Sequence, residues 1–186
     1  LKGFFPKEEL LTINQGGTHL PSHCDHNLTP GIDMTTGSLG QGSSLAVGVA
    51  MGKRISGKDN TTYLILGDGE IQEGQVWEAF MAANHYKLDN LTVVIDNNGL
   101  QIDGSNNEVM SLGDLAAKVR AFGFEVFELD GHDLEAIEAA LSARTAPGVP
   151  KCILAHTVKG KGVSFMENQV GWHGKAPNEE QRQQAL

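Results

Sequence analysis

The chain has 186 residues, 40% of them hydrophobic and 20% charged, enough for one core of ordinary size. No apolar run reaches the roughly 18 residues that cross a bilayer as a helix. Fourteen Lys and Arg against 23 Asp and Glu leave a formal net charge of −9, with no basic stripe, so neither nucleic acid nor a membrane is an expected partner.

Because the chain opens on Leu1 and already reads as the end of an element, the expectation is one domain over 1–186 lacking its natural N-terminus. A glycine-rich loop, Met34–Gly42 (MTTGSLGQG), leads into a helix rich in small residues, Ser43–Ile55. Thr62–Leu66 is a β-prone run ended by Gly67-Asp68-Gly69. Val76–Tyr86 has helical spacing, with Val76, Phe80 and Ala83 on one face. Leu91–Ile95 is a second strand run, ended by Asp96-Asn97-Asn98-Gly99. A helix follows over Leu112–Phe122, with Asp114 near its start and Gly123 as its stop. Phe124–Leu129 is a strand, Asp133 caps a helix over Leu134–Arg144, and Lys151–His156 is a fourth strand. Lys159–Trp172 has no clean period.

Strands alternate with helices, and the strand runs are apolar throughout rather than at every second residue. That pattern predicts an α/β fold, a parallel sheet with helices on both faces. Ligands of such sheets bind at the carboxyl ends of the strands. Two of those ends carry metal-capable residues, Asp68 and Asn98. The 23 glycines, against a usual share of roughly 7%, cluster where strands meet helices, and there they let backbone N–H groups approach a phosphate. Asp68 offers a hard anionic oxygen and Asn98 a neutral one, a set that suits Mg²⁺ or Ca²⁺ together with phosphate oxygens. Read alone, Gly67-Asp68-Gly69 is also an ordinary strand–turn–helix junction. Cys24 and Cys152 make no disulfide framework, which fits a reducing, cytoplasmic setting.

The spacing from Gly67-Asp68-Gly69 to Asn98 resembles the metal–diphosphate motif of thiamine diphosphate enzymes. The runs GDGEIQEGQVWEA (Gly67–Ala79), IDNNGLQIDG (Ile95–Gly104), MTTGSLGQG (Met34–Gly42) and VGWHGKAPN (Val170–Asn178) are similar to transketolase in particular. The resemblance implies the diphosphate-binding domain of a transketolase, an N-terminal subunit completed by a C-terminal, pyrimidine-binding partner. It implies thiamine diphosphate and Mg²⁺ (or Ca²⁺) as cofactors and sugar phosphates as substrates. Asp68 and Asn98 would hold the metal through side chains and Leu100 through its carbonyl. Gly67, Gly69, Glu70 and Asn98 would line the diphosphate, while Leu39 and Ile102 pack on the cofactor rings beside the Gly37 backbone.

By the same resemblance His23 would lie near the reacting carbons and His173 would reach diphosphate and substrate. Ser22 and Cys24 flank His23 where the family has other residues, and His26 competes with it. Glu73 and Glu78 would face an interface between subunits and self-association, with Trp77 and Phe80 buried against a partner. Other readings stay open. They are a deoxyxylulose-phosphate synthase, a transketolase for unphosphorylated sugars, and a non-catalytic module for Mg²⁺ and diphosphates. A zinc site at His23, Cys24 and His26 lacks a second ligand pair, and Gly37–Gly42 is not the dinucleotide fingerprint.

Overall fold

A computed structural model describes residues 2–186. Its regular elements are α1 (Gln41–Ile55), β1 (Thr62–Gly67), α2 (Gly74–His85), β2 (Leu91–Asn97), β3 (Leu100–Gln101), β4 (Gly104–Ser105), α3 (Asn106–Met110), α4 (Leu115–Ala121), β5 (Glu125–Asp130), α5 (Leu134–Ser142), β6 (Lys151–His156) and α6 (Glu179–Ala185). Four strands form one parallel sheet in the order β1-β2-β6-β5, and β3 and β4 form a small antiparallel hairpin.

The strand register sorts the side chains onto two faces. Leu64 pairs with Val93 and Leu66 with Ile95. Those two residues pair in turn with Cys152 and Leu154, and all of them join one buried cluster with Ala46, Val47, Ala50, Val76, Ala79, Phe80, Ala83, Leu115, Ala116 and Val119. Helices α1, α2 and α4 therefore cover this face. The small residues of α1 and α2 let the two helices lie close together. Phe80 packs on Phe124 with centroids 4.8 Å apart, and Trp77 on Phe122 at 5.0 Å. The expectation of burial against a partner is corrected for Phe80, which is already buried within this chain, while Trp77 packs on Phe122 and stays partly exposed.

The opposite face is covered only at one end. Lys151 lies on it, buried, and its Nζ donates to the Ala140, Leu141 and Ala143 carbonyls, so it closes the C-terminus of α5 against β6. Its burial lowers its pKa below that of an ordinary lysine. At β1 this face is bare. Tyr63 is 58% and Ile65 73% exposed, and β1 is the outermost strand of the sheet. Helices lie on both faces as expected, but the apolar run of β1 is half uncovered.

Boundaries differ from expectation for local reasons. α4 starts at Leu115 rather than Leu112 because Gly113 has φ +57° and Asp114 caps the helix through Ala117 N. α5 ends at Ser142, two residues before Arg144, since Ala143 is extended. Gly123 sits at φ +87°, and a methyl group there would lie 2.4 Å from Asn84 Cγ, so the stop after α4 requires glycine.

Candidate active site

The carboxyl ends of β1 and β2 lie side by side, Gly67 opposite Asp96. Just beyond β1 the chain turns sharply through Asp68 and Gly69 into a short 3-10 turn, Glu70–Gln72, and then α2. Asp68 is only 1% exposed. Its Oδ1 accepts from Gly69 N (2.8 Å) and its Oδ2 from Gly99 N (2.5 Å). No Lys, Arg or His forms an ion pair with it among the described residues. A buried carboxylate with two backbone donors and no counter-charge is costly. Of the ions that could answer such a charge, a hard divalent cation suits an oxygen donor of this kind.

Asn98 follows at the end of β2, its Oδ1 accepting from Leu100 N at 3.0 Å. Because Gly99 N bonds Asp68, Asn98 and Leu100 are held on either side of a residue that already touches the carboxylate. The β3–β4 hairpin then turns at Ile102-Asp103. Ile102 is 65% exposed, which excludes a core role for it. Gln101 Cβ lies 3.1 Å from where a methyl group on Gly69 would sit, so the hairpin closes directly over the turn. Asn106, buried at the hairpin's exit, donates its backbone N–H to Gly99 O and accepts from Gln101 Nε2.

On the other side of the turn lies the glycine-rich loop. Leu39 is 57% exposed. Gly37 has φ +123°, and a methyl group there would lie 2.2 Å from His23 Cδ2. The irregular segment 21–26 runs beside 35–37, with Thr36 N donating to Cys24 O and His26 N to Thr35 Oγ1. This pairing lays the His23 ring on Gly37. His26 is exposed and contributes only its main chain. No group of three His, Cys, Asp or Glu able to hold a metal occurs among the described residues, so His23, Cys24 and His26 do not converge.

The remaining expected residues sit as follows. Glu70 points back from the turn, Oε1 accepting from Gly40 N (2.8 Å) and Oε2 from Gly67 N (3.1 Å). Gly69 N–H donates to Asp68 Oδ1. Glu73, the N-cap of α2, and Glu78 within α2 are both exposed. His173 is exposed at the end of the Val170–Trp172 turn. That turn is anchored by Trp172, whose Nε1 donates to Phe165 O while its ring packs on Phe165 at 5.3 Å.

A second polar cluster was not foreseen. At the ends of β2, β6 and β5, Asn97 Nδ2 lies 3.1 Å from His156 Nδ1, and His156 Nε2 lies 2.8 Å from Glu128 Oε1. With Asn97 donating, Nε2 carries the ring proton and donates to Glu128. The parallel register that pairs Asn97 with His156 depends on strand order, which is why spacing alone did not reveal it.

Known proteins are similar along the whole chain. A family described as transketolase, thiamine diphosphate binding domain, matches residues 1–185. The chain is 50% identical over 181 residues to the 6-deoxy-6-sulfo-D-fructose transketolase subunit SqwG of Clostridium sp. (strain MSTE9), covering 97% of this chain and 66% of that one. It is 42% identical to an apulose-4-phosphate transketolase subunit of Phocaeicola vulgatus, over 100% of this chain and 66% of that one. The chain thus spans just under two thirds of these relatives' length. The crystal structure of transketolase from Campylobacter jejuni superposes with a TM-score of 0.89 at 33% identity, over 96% of this chain and 29% of that one.

Proposed function

The chain belongs to the transketolase family, in its thiamine diphosphate-binding domain, and on that premise we propose that it is the diphosphate-binding part of a two-chain transketolase. The enzyme would move a two-carbon ketol unit from a ketose phosphate to an aldose phosphate in the cytoplasm. The observation that carries the reading is Asp68, a buried carboxylate at a strand end with no ion-pair partner among the described residues. Exposed Leu39 lies on the neighbouring glycine-rich loop and exposed Ile102 on the hairpin over the turn.

The donor set fits the cofactor. Asp68, Asn98 and the Leu100 carbonyl would hold Mg²⁺ or Ca²⁺, with phosphate oxygens completing a hard-oxygen shell. Thiamine diphosphate, when bound, supplies the electron sink for carbon–carbon bond cleavage. Gly69 N–H and the Gly67 turn would bind the diphosphate. Leu39 and Ile102 would grip the rings and exclude water. His23 would hold and return the proton at the donor carbonyl oxygen, since an imidazole ring can both donate and accept. His173 would bind the diphosphate and a substrate hydroxyl. The pyrimidine-binding partner would complete the site, and exposed Glu73 and Glu78, at the start of α2 and within it, would face a second copy or that partner.

The test is reconstitution of this chain with its partner chain, assayed for ketol transfer from xylulose 5-phosphate to ribose 5-phosphate. The expected result is transfer that requires both chains, thiamine diphosphate and Mg²⁺. Two relatives are named for 6-deoxy-6-sulfofructose and apulose 4-phosphate, so both donors belong in the assay, and preference for either would redefine the substrate. Calorimetry with thiamine diphosphate against ADP separates an enzyme from a general diphosphate binder. Turnover by this chain without a partner would overturn the two-chain reading.

A further inference from the structure

Two side chains from the segment after the Asp68 turn reach across to the glycine-rich loop. Glu70 accepts from Gly40 N with one oxygen and from Gly67 N with the other. Gln75, in the first turn of α2, donates Nε2 to Leu39 O at 2.9 Å. The loop residues so held lie 30 and 36 positions earlier in the chain. Gly40 itself has φ +79° as the cap of α1, and a methyl group there would lie 2.8 Å from Gln75 Nε2 and 2.9 Å from Glu73 Cβ. Only glycine lets the two segments close to this distance.

We propose that Glu70 and Gln75 form a clasp that fixes the Gly37–Gly40 loop against the Gly67–Gly69 turn, making both of them positioning residues for the cofactor. This rests on the transketolase reading above. The carboxylate of Glu70 satisfies backbone donors on both segments at once, so a single side chain sets the spacing between Leu39 and Asp68. Gln75 fixes the same loop from its carbonyl side, which stops it rotating about the Glu70 contact. The ring-binding and diphosphate-binding halves of the site are thereby held in register before any ligand arrives, which lowers the ordering cost of binding.

The test uses the full-length chain with its partner chain and the variants Glu70→Gln, Glu70→Ala and Gln75→Met. Gln75→Met keeps the side-chain bulk and removes the donor. Glu70→Gln keeps one acceptor and presents an N–H to the other glycine. Two measurements are made. One is amide hydrogen exchange of the peptide covering 36–42 without cofactor, with a β6 peptide as control. The other is thiamine diphosphate affinity by calorimetry in excess Mg²⁺, set beside kcat at saturating cofactor.

The clasp predicts faster exchange in 36–42 and not in β6. It also predicts cofactor Kd raised about 10-fold or more in Glu70→Ala and Gln75→Met, with Glu70→Gln intermediate, and a smaller fall in kcat than in affinity. Unchanged exchange in both Glu70→Gln and Gln75→Met overturns it. Faster exchange with wild-type cofactor affinity overturns it as well. A wild-type protein that binds no thiamine diphosphate sinks the functional reading and this proposal together. Variants that bind as tightly as a binding-competent wild type sink the proposal alone.

Discussion

Asn97 and Asn98 are neighbours in sequence and end in different chemistry. Asn97, the last residue of β2, bonds His156, which in turn bonds Glu128, whereas Asn98, just beyond the strand, accepts from Leu100 N beside the Gly99 that donates to Asp68. The cluster at β5 and β6 satisfies itself: Glu128 faces His156 at 2.8 Å and Arg120 at 3.9 Å, with all three half-exposed. The cluster at β1 and β2 holds one buried negative charge against backbone donors alone. A polar group whose charge is already answered is structural. One that is buried and left short is where a ligand's charge is needed.

The largest expected effect breaks this comparison most directly. Asp68→Asn should abolish Mg²⁺-dependent thiamine diphosphate binding in calorimetry. It should change the stability of the cofactor-free protein little, because the relief of an unpaired buried charge is offset by an amide N–H that faces one of the two backbone donors. A thermal midpoint several degrees lower, with binding intact, would place Asp68 in the same category as Glu128. Next in size, His23→Ala should lower kcat by ~10²–10⁴, while His26→Ala leaves it near wild type. The reverse result would move the proton-transfer role to His26. Asn98→Ala should weaken cofactor binding by ~10-fold or more, and Asn97→Ala should leave it unchanged, as titrations of the two variants would read directly.

Smaller effects test the self-satisfied side. His156→Ala should cost no more than ~1 kcal/mol in urea unfolding, the range of an exposed ion pair, with cofactor affinity unaltered. Cys152, on the same strand β6 as His156, has its thiol pushed up to about 12 by burial, with Arg120 opposing. Its thiolate is therefore scarce at pH 8. Iodoacetamide at that pH should label exposed Cys24 in the folded protein, and Cys152 only after denaturant is added, as mass spectrometry of the peptides would show.

Much of this architecture was legible in the sequence. β6 has the bounds that KCILAH predicts, and β1 and β2 each extend only one or two residues past their apolar runs. The Asp68–Asn98 spacing was visible because the turn residues adjoin the strands that carry them. The Glu70–Gly40 and Gln75–Leu39 contacts were not, since they join segments that only the packing of α1 on α2 brings together. Lys151 opens the fourth strand run, and it is buried on the carbonyls ending α5, a partner that no local pattern announces. The bare half of β1 was missed for a related reason. An apolar strand predicts a covered one, and whether a cover exists depends on elements far away in the sequence.

The uncovered edge of β1 has a colloidal consequence. A strand with free backbone donors and acceptors on one side, and with Tyr63 and Ile65 exposed on its face, is a template for pairing with another chain. What opposes that encounter is the net charge of −9, which makes copies repel. Repulsion of this kind is screened within about 8 Å at 0.15 M salt, whereas strand pairing and apolar contact are not weakened by salt. The balance between staying dispersed and sticking is therefore set by the ionic strength of the buffer. Low-salt, mildly alkaline conditions should keep this chain in solution at concentrations where added salt clouds it, as light scattering would record.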